Sequence, residues 1–172
     1  GGLTIVVSPL VALMEDQISA LKILGIEAET INSSKKREHN IVAWNRIVEG
    51  HVRLLYLSPE RLMSDRMIKA LVKQPVSLIA IDEAHLVSRW GPSFRPDYEE
   101  LTKLRDVFLD VPIVALTATA DKSTQEDIIK KLRAHIFMYM ATQQHISDPH
   151  TCVLRNLRAW TPQQHYQGCL GP

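Results

Sequence analysis

The chain has 172 residues, 45% of them hydrophobic and 23% charged, with a formal net charge of +1, the make-up of a single globular domain. It contains no apolar run of the roughly 18 residues that cross a bilayer, and it does not open on a basic segment followed by an apolar one, so neither a membrane span nor a secretory leader is indicated. A charge so near zero leaves any nucleic-acid binding to a local basic patch.

From Leu3 to Leu132 an apolar run, a short Ser/Pro/Thr/Asp turn and a segment of helical period recur, which is the pattern of βα units on a mostly parallel sheet. The first unit is the strand LTIVVS followed by PLVALMEDQISALKILG. There Leu10, Leu13, Leu21 and Leu24 share a helical face, Pro9 suits the first helical position and Gly25 suits the stop. IEAETI is a short strand, KREHNIVAWNRIVEG a helix ending at Gly50, and VRLLYLS a strand running into the helix PERLMSDRMIKALVK. The strand SLIAI, the helix PDYEELTKLRDVF, the strand VPIVALT and the helix DKSTQEDIIKKL complete the series. The fold expected is α/β, a doubly wound, mostly parallel sheet.

One handover occurs twice. In VVSPL and YLSPE a strand ends on Ser-Pro, which predicts Ser8 and Ser58 as N-caps with Pro9 and Pro59 at the first helical position. A capped helix N-terminus is also a seat for phosphate. In a parallel sheet the two would share the edge where ligands bind.

From Arg133 the texture changes. Residues 133–172 hold no Lys or Glu, three Arg and one Asp, but four of the seven His, both Cys and five Gln. His145, His150, Cys152, His165 and Cys169 match none of the paired spacings that signal zinc. The expectation is one domain over 1–132 and a non-matching tail over 133–172, disordered or out of frame. The opening GGLTIVVS enters a strand at once, as if cut from a longer chain.

The chemistry concentrates after SLIAI. Asp82 follows a buried strand directly, so it belongs at the C-terminal edge of the sheet, where it could hold Mg²⁺ against nucleotide phosphates. Glu83 would then orient or deprotonate an attacking water. Taken alone, the Asp-Glu pair reads better as acidic residues at a helix start.

The wider pattern decides between these. SPLVALMEDQ (8–17), LLYLSPERL (54–62), DEAH (82–85), WGPSFRPDY (90–98) and ALTATA (115–120) stand in the order and spacing of the first motor domain of superfamily 2 helicases. The Trp-Gly and Phe-Arg-Pro that follow DEAH make the chain resemble the RecQ family of ATP-dependent DNA helicases. The resemblance covers about 130 residues and implies a RecA-like motor domain using ATP and Mg²⁺ on DNA, moving 3′ to 5′.

It further implies Asp82 as the metal carboxylate, Glu83 as the catalytic base and His85 as a relay toward the DNA side. Ser8, Pro9, Leu10 and Gln17, then Ser58, Pro59 and Glu60, would line a single-stranded DNA track. Trp90, Phe94 and Arg95 would form the DNA-sensing loop, and Thr117, Ala118 and Thr119 would couple hydrolysis to unwinding. Aromatic faces that stack bases and arginines that meet phosphates suit that loop.

The chain departs from the family at Pro92 and Ser93, where RecQ proteins commonly have His-Asp, at Leu86, often Cys, and at Arg89, often Gln or Glu. No G-x-x-x-x-G-K-[ST] phosphate loop occurs, and in the family it lies just upstream of the strand that begins at Leu3. A second motor domain of the same parent chain is the implied partner. The resemblance therefore predicts a helicase that is active when whole and inactive as these 172 residues alone. The alternatives are a non-catalytic single-stranded-DNA-binding module and a gene fragment without function. The expected location is cytoplasmic at the bacterial nucleoid, or nuclear in a eukaryote.

Overall fold

The computed structural model describes residues 2–89 and 93–133 and the backbone of His135 and Ile136. Its centre is a six-stranded, wholly parallel sheet in the order β2-β3-β1-β4-β5-β6. The strands are β1 (Leu3–Val7), β2 (Ala28–Thr30), β3 (Leu54–Leu57), β4 (Val76–Ile81), β5 (Ile113–Ala115) and β6 (His135–Ile136). β1 lies between β3 and β4, and the chain builds outward from it to both sides, as expected of a doubly wound α/β sheet. Strand β6 extends the sheet beyond Leu132; the rest of the His/Cys tail, including His145, His150, Cys152, His165 and Cys169, lies outside the described residues.

The connecting helices are α1 (Val11–Ile23), α2 (Arg37–Val48), α3 (Pro59–Leu62), α4 (Asp65–Leu71), α5 (Pro96–Glu99), α6 (Leu104–Val107) and α7 (Lys122–Leu132). Two follow their glycine stops as expected. Gly25 and Gly50 take positive φ, and Ile26 N–H to Leu21 O and His51 N–H to Arg46 O close the terminal turns, the geometry a left-handed residue after a helix permits.

Two expected helices are divided. The segment 59–73 breaks at Met63, and Ser64 starts a second helix. The segment 96–108 carries a 3₁₀ turn at Glu100–Lys103 between α5 and α6. Tyr98, Leu101 and Leu104 are all fully buried, and their spacing of three matches the three-residue turn better than an α-helical one.

The core is an apolar layer on the sheet, with Ile5, Val7, Leu55, Leu57, Ile79, Ile81 and Ile113 from the strands and Leu62, Leu71, Tyr98, Leu101 and Leu104 from the covering segments, all buried. Ordered strands packed this tightly fix their C-terminal ends relative to one another. No described helix is long and apolar enough to cross a membrane.

Candidate active site at the C-terminal edge of the sheet

Four adjacent strand ends line the edge: Ser58 after β3, Ser8 after β1, Asp82 after β4 and Leu116-Thr117 after β5. The backbone stitches them together. Ser8 N–H donates to Leu57 O at 3.1 Å, Asp82 N–H to Val7 O at 2.8 Å, and Ala84 N–H to Leu116 O at 2.9 Å. With Leu116 N–H donating to Ile81 O at 2.8 Å, the parallel ladder continues one residue past β1, β4 and β5 and sets the spacing of the polar groups.

The two Ser-Pro handovers diverge. Ser58 is an N-cap whose hydroxyl accepts from Arg61 N–H at 3.3 Å, with Pro59 opening α3. Ser8 does not cap α1, a correction to the sequence expectation: the helix begins at Val11 behind Leu10, with no side-chain cap. The cause is depth. Ser8 is fully buried in line with β1, two residues short of the helix, and its hydroxyl has no hydrogen-bond partner among the described residues. Pro9 therefore lies in the turn, while Leu10 is 58% exposed. Gln17, on α1, is half-buried.

Asp82 is half-buried, and its Oδ1 accepts from Glu83 N–H at 2.9 Å. Glu83 takes a left-handed conformation, φ 51 and ψ 42, which costs a non-glycine residue energy and is held only by its surroundings. A short 3₁₀ turn, Ala84–Val87, follows. The turn carries His85 back toward β5, where its Nδ1 lies 3.2 Å from Glu83 Oε2 and 3.0 Å from Thr117 Oγ1.

The polar groups around His85 set its tautomer. Thr117 Oγ1 accepts from Thr119 N–H at 3.3 Å and lies 3.4 Å from Thr119 O, toward which its hydroxyl proton can point. A hydrogen on Nδ1 then satisfies both Glu83 and Thr117, since neither the carboxylate nor the committed hydroxyl has a proton to give. His85 thus ties Glu83 to the 117–119 turn. In that turn Thr117 is buried, whereas Ala118 and Thr119 are exposed.

The arginine-aromatic loop is described from Ser93 onward and up to Arg89; Trp90 lies outside the described residues. Arg95 Nη2 lies 2.9 Å from Asp97 and 3.7 Å from Glu60, so the loop touches the second Ser-Pro segment. Burial raises the Glu60 pKa, but the Ser58 hydroxyl, its own backbone, Asp97 and the Arg95 charge lower it, and the net shift is downward. Among the described residues, the cation over an aromatic face is Arg89, 5.5 Å above the half-buried Phe94 ring. Arg89 is in turn held by Glu99 at 2.6 Å.

Sequence reasoning did not single out Tyr98. It is fully buried, and its hydroxyl donates to Asp82 O at 3.1 Å, with burial and then the Asp82 charge pushing its pKa far up. The signal was available in FRPDY: a buried tyrosine needs a partner for its hydroxyl.

Among the described residues no cluster of three or more His, Cys, Asp or Glu could hold a metal. One carboxylate at a strand mouth is nonetheless the donor set that suits Mg²⁺, which keeps most of its waters and shares phosphate oxygens.

Comparison with known proteins identifies the family to which this fold and edge belong. Residues 1–128 match the family model "DEAD/DEAH box helicase", and the chain belongs to that family. Within it the chain is similar to RecQ helicases. It is 47% identical over 131 residues to the ATP-dependent DNA helicase RecQ of Haemophilus influenzae, covering 76% of this chain and 21% of that protein. It is 45% identical over 132 residues to the RecQ of Bacillus subtilis, covering 76% and 22%. The chain thus spans about a fifth of the length of these relatives. Among solved structures, the Hef helicase domain of Pyrococcus furiosus superimposes with a TM-score of 0.57 at 18% identity, over 81% of this chain and 29% of that one, a likeness of fold.

Proposed function

We propose that residues 2–133 form part of the first motor domain of a RecQ-type, ATP-dependent 3′–5′ DNA helicase, with a second motor domain completing the nucleotide cleft. The observation that carries this reading is the bridge from Glu83 through His85 to Thr117, beside Asp82, across adjacent parallel strand ends.

Asp82 would hold Mg²⁺, which when bound neutralises phosphate charge. Glu83 would accept the proton of the attacking water. Its hydrogen bond from His85 keeps the carboxylate oriented, and the same imidazole passes any movement of Glu83 to the 117–119 turn. Single-stranded DNA would run over Ser8–Leu10 and Gln17, then Ser58–Glu60, toward Trp90, Phe94 and Arg95. Arg95 is already held by Glu60 and Asp97, so a phosphate would reach it in competition with two carboxylates. That competition offers a way for DNA to disturb α5 and, through Tyr98, the carbonyl of Asp82.

Without the lysine cradle of a phosphate loop, these 172 residues as a separate polypeptide are expected to hydrolyse ATP only at background rate. The test therefore transplants residues 2–132 into the matching stretch of the Haemophilus influenzae RecQ. The chimera is expected to show DNA-stimulated ATPase, and Glu83→Gln to lower kcat by about 100-fold or more. A folded chimera whose ATPase is indifferent to Glu83→Gln would refute the role of Glu83.

A further inference from the structure

A cavity of about 330 Å³ opens between α2 and helices α3 and α4. Lys35, Arg37, Asn40, Trp44, Arg61 and Arg66 are its polar and aromatic lining, and no described carboxylate is among its walls. Two of these groups are already engaged. Lys35 pairs with Glu15 at 3.2 Å, and Asn40 is committed to the Asn32 backbone, donating to its carbonyl at 2.8 Å and accepting its N–H at 3.3 Å.

The three arginines are not. The side chains of Arg37, Arg61 and Arg66 form no ion pair with any described residue. Arg61 Nε is buried and has no hydrogen-bond partner among the described residues. Gathering three guanidinium groups around one hollow is unfavourable through mutual repulsion, and a buried N–H without an acceptor adds to that cost. An anion in the cavity relieves both.

Trp44 narrows the chemistry. It packs against the core while also lining the cavity, so its indole is a fixed, half-buried face. Guanidinium forks recognise phosphate oxygens, and an indole face stacks a planar base. The volume is at the small end of ligand pockets, the scale of one nucleotide and too small for a folded partner's element.

We propose that this cavity seats a single nucleotide unit, its phosphate held by Arg37, Arg61 and Arg66 and its base laid on Trp44. The unit is either a free nucleoside phosphate or one nucleotide of a single strand.

The test uses the full chain labelled with 5-fluorotryptophan, in which the Trp44 fluorine resonance is assigned with Trp44→Phe. Thymidine 5′-monophosphate, thymidine and a ten-residue oligothymidylate are titrated without Mg²⁺. A saturable shift of the Trp44 resonance with a phosphate-bearing ligand, at least about 10-fold weaker for thymidine, is expected. Arg37→Gln with Arg66→Gln, both at exposed positions and checked for folding by circular dichroism, should weaken binding by about 10-fold or more.

Response to the mononucleotide assigns a free nucleotide, and response to the oligomer alone assigns a unit of a strand. No Trp44 shift with either phosphate-bearing ligand, equal binding of thymidine, or unchanged affinity in the folded double variant would overturn the proposal. The mononucleotide arm contains no strand, so its outcome is independent of the DNA-track reading on which the oligomer arm rests.

Discussion

The ends of β1 and β3 carry the same Ser-Pro dipeptide on neighbouring parallel strands, yet the fold uses them in opposite ways. After β3 the hydroxyl of Ser58 turns inward on its own helix and satisfies Arg61 N–H. After β1 the hydroxyl of Ser8 is buried, caps nothing and bonds to nothing described. The difference arises one level above the dipeptide. Both strands have two neighbours, but the pairing of β3 with β2 ends at Tyr56, two residues before Ser58, whereas at the end of β1 the ladder continues on both sides, Ser8 N–H to Leu57 O and Asp82 N–H to Val7 O, which keeps Ser8 in line with the strand and delays the helix to Val11. A local motif thus gives a cap where the pairing on one side has ended and an unspent polar group where the ladder continues on both sides, and an unspent buried hydroxyl in a folded protein calls for a reason.

The contrast can be broken or sharpened by substitution. The largest effect is expected under the capped end: Leu57→Ala empties a fully buried position and should lower unfolding free energy by about 2 to 5 kcal/mol in urea titrations. Ser58→Ala should cost about 1 kcal/mol by the same measurement, the usual loss for an N-cap. Ser8→Ala should go the other way, leaving stability unchanged or raising it by up to about 1 kcal/mol, because it removes a buried group that has no partner. An equal loss at both serines would show that Ser8 has a stabilising contact after all.

The smallest effect is electrostatic. Glu60 has its pKa held below the ordinary carboxylate value of 4.5, so its charge contributes stability above that pH, and the contribution is lost as pH falls through the lowered value. With the side chain 59% exposed, the contribution is expected to be about 0.5 kcal/mol or less. The difference in Tm between the natural chain and Glu60→Gln should therefore be small at pH 7 and close below about pH 4.5. A gap that widens on acidification would assign the opposite sign to the Glu60 environment.

The parallel sheet was legible because each strand is a short apolar run bounded by turn residues, and the glycine stops of α1 and α2 were legible because only a left-handed residue closes those turns. Asp82, Glu83, His85 and Thr117 were legible as a set through the order of their segments. What escaped depends on depth and direction. The depth of Ser8 follows from two flanking strands that are far from it in sequence. The left-handed backbone of Glu83 has no glycine to announce it. The division of 96–108 follows from a spacing of three among Tyr98, Leu101 and Leu104, which a helical reading absorbs as a face. The placement of Arg89 over Phe94 and the ion pair of Arg95 with Glu60 depend on side-chain directions that the sequence does not display. The cavity arginines are scattered over three helical segments, with no motif to join them.

The position of β1 also bears on how the molecule is made. Ile5 pairs with Leu55 on one side and Ile79 on the other, so β1 needs both of its neighbours from much later in the sequence. Long-range parallel pairing of this kind is slow, because the loop must close before any contact rewards it. During synthesis an apolar segment, Leu3–Val7, therefore waits unpaired while α1, β2 and α2 emerge. An apolar strand exposed in this way is prone to aggregate until its partners arrive.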